Sequence, residues 1–148
     1  MSSDDSVDQR VVFFASAKQG SVGGMKQLVD EGFTNYNGKD ELGNTALHWS
    51  ASADHLDAVE YLVDVLKLDV DAVNNVGDTA LHKAAWRGSL DCVKYLIDKD
   101  ATIEKLNNDK KRPVDLAKHL EVKSYLQSFE GADEGELEED APSSDEEA

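Results

Sequence analysis

One six-residue phrase occurs twice in this chain. Gly43-Asn44-Thr45-Ala46-Leu47-His48 returns as Gly77-Asp78-Thr79-Ala80-Leu81-His82, 34 residues later. Self-similarity at that period is the mark of a chain built by stacking one small unit, each copy too small to bury its apolar face alone. The constraint on the fold is severe. A stack of this kind is elongated, its core runs along its length, and it presents an extended concave surface instead of an enclosed pocket.

The register reaches beyond the phrase. Leu56, Val59, Leu62 and Val63 recur as Leu90, Val93, Leu96 and Ile97, and an earlier copy is Val22, Met25, Leu28 and Val29. Their spacing lays one apolar stripe along an α-helix. A shorter helix is expected before each, opening at Thr45 or Thr79, whose hydroxyl can accept from an unpaired backbone N–H. The residues following Leu-His are small: Ser50 and Ala51, then Ala84 and Ala85, with Ser16 and Ala17 in the first copy. They let neighbouring units approach closely. Gly20 and Gly88 fall at the turn between the two helices, where positive φ is cheap for glycine. In the second copy that place is held by Asp54, which predicts a strained or lengthened turn.

These residues resemble the ankyrin-repeat motif over about residues 9–128. The resemblance implies an all-α fold: a solenoid of about four helix–turn–helix repeats with hairpin-like fingers along one edge. The repeats are placed at about 9–42, 43–76, 77–109 and 110–129. Residues 1–8 are expected to be a flexible lead-in and 130–148 a disordered acidic tail. Val11-Val12-Phe13-Phe14 stands where the first copy should read Thr-x-Leu-His, and Arg112-Pro113-Val114-Asp115-Leu116-Ala117 stands there in the last. Pro113 suits a first helical position. Terminal units must face water on one side, so irregular ends read as caps. The second helix of the last repeat, from about Leu120 to Ser128, is expected to be shortened.

Charge and cysteine usage narrow the function classes. The chain has 148 residues and a net charge of −16. Residues 130–148 hold ten acids and no base, and one leucine is their only large apolar residue, too little to bury for folding. Such a chain repels nucleic-acid phosphates. Cys92 is the one cysteine, which forbids an intrachain disulfide and fits a reducing cytoplasmic or nuclear home. The opening Met-Ser-Ser-Asp-Asp is polar and acidic, unlike a signal peptide. No apolar run approaches the roughly 20 residues of a membrane helix. A monomer is expected.

By the resemblance, partners are read by the fingers and by the outward positions of each first helix. The candidate protein-binding residues are Leu42, Asn44, Asn75, Val76 and Asp78 on fingers, with Trp49, Lys83, Trp86 and Arg87 on first helices. Glu41, Asp109, Lys111, Lys18 and Ser52 share those surfaces. Trp49 and Trp86 are the two tryptophans, and Trp and Arg are the types most enriched at binding hot spots. The competing reading is that each indole packs on a neighbouring repeat and stiffens the stack. His48 and His82 recur, but the resemblance makes them motif histidines that bond to a turn. Their separation by a whole repeat also disfavours a metal site, which needs converging ligands. Cys92 between Leu90 and Val93 reads as a packing residue.

No phosphate loop, paired-carboxylate pocket or base-activated nucleophile is present in the sequence, so neither an enzyme nor a cofactor is expected. Lys105, Lys110, Lys111 and Arg112 form a basic cluster near the last finger, read first as a solvated loop. Ser143 and Ser144 each have an acid three residues on, a pattern resembling sites of acidophilic kinases. Two functions are carried forward. The first is an adaptor or regulator that holds a protein partner on its concave face. The second is a chaperone or mask for a basic protein, ribosomal or nuclear, that uses the acidic tail; small acidic-tailed ankyrin proteins of that kind supply the analogy.

Overall fold

The structure is a computed structural model that describes residues 2–137, with side chains described over 9–129. The helices run α1 Ser2–Gln19, α2 Val22–Asp30, α3 Ala46–Ser52, α4 Leu56–Glu60, α5 Ala80–Arg87, α6 Leu90–Asp98, α7 Pro113–Leu116 and α8 Leu120–Leu137. A π-helical segment, Tyr61–Val65, prolongs α4. No strand occurs among the described residues.

Successive helix pairs stack side by side. The first helices α1, α3, α5 and α7 form one layer, each packing on the next, and the second helices lie behind them. Thr45 and Thr79 cap α3 and α5 with their side chains accepting from the His48 and His82 N–H groups. The core runs the length of the stack. Phe13, Leu47 and Leu81 fill equivalent places at 34-residue intervals, as do Leu28, Leu62 and Leu96, and all six are buried. Ala17, Ala51 and Ala85 are fully buried where adjacent first helices meet. There Ser50 Oγ donates to the Ala17 carbonyl at 2.9 Å.

The recurring 34 residues conceal a shorter unit. The N–H groups of Phe33 and Ala101 close their helices on the Leu28 and Leu96 carbonyls five residues back, at 2.9 and 3.0 Å. In the second repeat Leu68 closes on Leu62, six residues back, at 3.0 Å. The extra residue is absorbed by the π-helical turn, the way a helix accommodates an insertion without losing its partners. The first repeat carries its own extra residue elsewhere, in the connector between Phe33 and Asp40. The third has neither, so its last finger arrives one residue earlier.

The inter-helix turns keep one length. Gly20, Asp54 and Gly88 have φ of 77°, 63° and 81°. Asp54 therefore bears strain, and the turn is not longer. A Cβ on Gly20 would come within 2.6 Å of the His55 ring, and one on Gly88 would run into the His119 ring. The counterpart of those histidines in the third repeat is Ser89, a smaller neighbour for the aspartate Cβ. His55 and His119 are the packing that demands glycine at two of three turns.

The ends differ from expectation. α1 begins at Ser2, inside the stretch 1–8 read as a flexible lead-in. Residues 2–19 contain no proline, and no glycine precedes Gly20, so nothing local stops a helix there. α8 is not shortened and runs on to Leu137, into the segment read as tail. Residues 138–148, with Ser143 and Ser144, lie outside the described residues.

Candidate protein-binding site

Each connector ahead of a first helix folds as the same tight finger. In the first, the Asp40 N–H donates to the Asn44 carbonyl and the Gly43 N–H to the Asp40 carbonyl, both at 3.0 Å. Asn74, Gly77 and Asp78 repeat this, as do Asn107, Lys110 and Lys111. The penultimate residue takes positive φ each time: Gly43 81°, Gly77 83° and Lys110 63°. A turn closed by a left-handed residue is a three-residue hairpin. One side-chain oxygen anchors it from within, because Oδ1 of Asp40, Asn74 or Asn107 accepts two finger N–H groups at 2.9–3.0 Å.

The fingers are laced to one another. Asn75 donates its backbone N–H to the Leu42 carbonyl and its side-chain amide to Glu41, and Asn108 repeats both contacts on Val76 and Asn75. Asn74 Nδ2 reaches Asn44 Oδ1 at 2.8 Å. The histidines complete the lacing. The Thr45 N–H donates to His48 Nδ1 at 3.0 Å, which leaves Nε2–H to donate to the Asp78 carbonyl at 2.8 Å. His82 does the same between Thr79 and the Lys111 carbonyl. Burial lowers the His48 pKa, with Lys83 and Lys39 adding to the effect against the Asp78 carbonyl.

The chain is an ankyrin-repeat protein. The ankyrin-repeat family model, in three copies, matches residues 12–109 and 65–133. Among curated proteins it is similar to osteoclast-stimulating factor 1 of Danio rerio, 46% identical over 111 residues, covering 75% of this chain and 51% of that protein. The Monopterus albus protein of the same name is 47% identical over 116 residues, 78% and 54% of the two chains. That of Bos taurus is 43% identical over 118, 80% and 55%. The chain thus spans about half the length of the curated relatives it matches. Ankyrin repeats are protein–protein interaction modules, and their stacked units create extended concave binding surfaces.

Among the described residues, grooves open between the fingers and the first helices at two places. The first, of 600 Å³, is walled by Val11 and Phe14 of α1, Leu42 of the first finger and Trp49 of α3, with Arg10, Lys18, Lys39, Asp40 and Glu41 around it. The second, of 290 Å³, lies between the second and third fingers, with Val76, Trp86 and Leu116 as apolar walls and Asp78, His82, Lys83, Asn107 and Asp109 as polar ones.

The expected binding residues divide by their surroundings. Trp49 is half-buried, its Nε1–H donates to Asp40 Oδ2 at 2.8 Å, and Lys18 Nζ sits 4.2 Å from the ring centroid. The indole ties α3 to the first finger while one side lines the groove. Trp86 is 43% exposed, and no hydrogen bond to its indole N–H is found among the described residues. Lys118 Nζ and Arg87 Cζ lie 5.2 and 5.8 Å from its ring. Leu42 and Val76 are 61% and 54% exposed on their finger tips. Lys83 and Asp78 line the second groove.

Of the two asparagines expected outward on the fingers, one is buried and one is exposed. Asn44 is 2% exposed, its amide oxygen taken by Asn74, so it lies inside the stack and offers a partner nothing. Asn75 is exposed, but both its backbone and side-chain donors are spent on the first finger. Asp40, Phe14, Leu116 and Lys118 were missed. Asp40 could have been found, since it stands 34 residues before Asn74 in the finger register. The others belong to the terminal repeats, where the motif is too degraded to mark outward positions.

Burial, then the nearby Asp54 carboxylate, pushes the Cys92 thiol up to about 12, the opposite of nucleophile activation. Among the described residues no cluster of three or more His, Cys, Asp or Glu could hold a metal ion, and no helix is long and apolar enough to cross a membrane.

Proposed function

We propose that this protein is a non-catalytic adaptor or regulator that grips a protein partner between its fingers and first helices, with Trp86 as the principal anchor. The observation that carries this is the exposed indole. Among the described residues, Trp86 walls a groove, leaves its N–H without a partner and supports no neighbouring repeat by a hydrogen bond. A side chain that large gains by being covered, and tryptophan in a central groove is the usual form of a binding hot spot. Leu42 and Val76 extend the contact along the finger tips. The cytoplasm or nucleus is the proposed compartment.

The test is capture from cell extract with the intact chain and with a Trp86→Ala/Arg87→Ala variant, alongside urea unfolding of both. A partner held by the first and lost by the second, at an unchanged unfolding midpoint, is expected. Retention of every partner by the variant would remove this surface from the reading. The chaperone alternative draws on the charge of 130–148. A third bait, with those ten acids changed to Asn and Gln, weighs it: a basic client lost there would favour it.

A further inference from the structure

Charge is sorted across the stack. The first-helix layer with its fingers, over residues 9–19, 39–53, 74–88 and 104–118, carries ten bases and six acids. The remainder of 9–129 carries five bases and twelve acids. Over residues 9–129 the grooved side is therefore positive, on a chain of net charge −16. The contrast sharpens on the helices themselves. Arg10, Lys18, Lys83, Arg87 and Lys118 lie on the first helices or at their ends. Within residues 9–129 the one acid on those helices is Asp115, engaged by Arg112 at 3.1 Å; Asp4, Asp5 and Asp8 stand in the first turns of α1. Of the finger acids, Glu41 and Asp109 stay exposed at the rims of the two grooves, and the other two are committed inward. Asp40 serves its own turn and the Trp49 indole, and Asp78 Oδ1 accepts from Asn107 at 2.8 Å.

We infer that the occupant of this face is an acidic segment of a partner protein with apolar side chains among its carboxylates. The inference rests on the protein-binding reading above and adds the partner's chemistry. An apolar side chain fills the groove beside Trp86 and Leu116. Flanking carboxylates meet Lys83, Arg87 and Lys118, and further along the stack Lys18 and Arg10. Complementary charge of this kind speeds encounter and rejects basic competitors more than it deepens affinity. Repulsion from the back of the molecule favours approach from the grooved side. The basic partner expected from the charge of 130–148 would meet the wrong sign here. That segment, with ten acids of its own, is a tethered competitor for the face.

The two tryptophans give a direct readout, because the protein has two indole N–H signals by NMR. The probe is a twelve-residue peptide of Glu and Asp with Leu at every fourth position. A Lys-for-acid counterpart and an uncharged Gln counterpart are titrated beside it. Both the full chain and the variant with the ten acids of 130–148 amidated are used. The acidic peptide is expected to shift the Trp86 signal in at least the amidated variant and to weaken at least tenfold between 50 and 500 mM salt, as screening shortens the reach of the charges. Lys83→Glu/Arg87→Glu/Lys118→Glu is expected to abolish the shift, and Lys26→Glu/Lys94→Glu/Lys123→Glu on the back to leave it. No shift in either chain, or equal binding of the Lys peptide, overturns the inference. If the captured partner still depends on Trp86 in that case, the binding face stands and the assigned chemistry alone fails.

Discussion

Repeats two and three share their phrase, their finger and their histidine, and differ where they face outward. His48 and His82, each held by its own Thr45 or Thr79, donate to the next unit's finger, and Asn74 and Asn107 donate back to the preceding finger, through the same hydrogen bonds in both repeats. Trp49, by contrast, is replaced by Lys83 in the next repeat, and Trp86 stands where the previous one has Ser52. The lesson concerns what repetition selects for. A residue recurs when stacking demands the same bond at each step. A residue used on a partner has no reason to recur, because the partner is not periodic. The two turns follow the same rule, with glycine where a histidine presses on it and aspartate where Ser89 takes that histidine's place.

Breaking a recurring bond should cost most. His82→Ala strips partners from the Thr79 N–H and the buried side of the Lys111 carbonyl, and is expected to destabilise by roughly 2–4 kcal/mol in urea unfolding, since each orphaned buried group carries its own desolvation penalty. His48 adds a pH signature. Its folded pKa is lowered below the ordinary 6.5, so the unfolded chain takes up the proton first. Its contribution is present above the unfolded value and is lost as pH falls below 6.5 toward the folded value. Stability at pH 5.5 should be lower than at pH 7.5, and His48→Gln should flatten that slope.

Exchanging the turn residues sharpens the comparison. Gly88→Asp is expected to cost about 2 kcal/mol or more, from left-handed strain and collision with His119. Asp54→Gly should gain about 0.5–1 kcal/mol, the relief of strain exceeding the added freedom of the unfolded chain. Thermal midpoints of the two single variants and the double swap would show whether the turn and its neighbour act as a pair. Smallest of all should be Trp86→Ala, about 0.5 kcal/mol, since what the fold loses is the solvent-exposed contact of the ring with Lys118 and Arg87. A loss like that of His82→Ala would make Trp86 a builder of the stack.

Much of this was legible in the sequence because stacking is periodic. Thr45, His48 and Leu47 could be placed from their copies, and the finger positions of Leu42 and Val76 with them. Asn44 could not be placed, since its burial depends on Asn74 reaching across from the next finger. The split of the 34-residue period into a 33-residue unit with two different insertions was hidden for the same reason, as both insertions leave the spacing between phrases unchanged. The Trp49–Asp40 bond and the nearness of Lys118 to Trp86 join residues from different elements at no fixed interval, and no periodic pattern announces them.

The most direct test of the division between building and binding residues is titration calorimetry with the captured partner, run on Trp86→Ala and Asp54→Gly beside the parent at matched unfolding state. The account predicts at least a tenfold loss of affinity for Trp86→Ala at an unmoved unfolding midpoint, and unchanged affinity for the more stable Asp54→Gly. Equal affinity in the parent and Trp86→Ala, or affinity that follows stability across the three proteins, would contradict it.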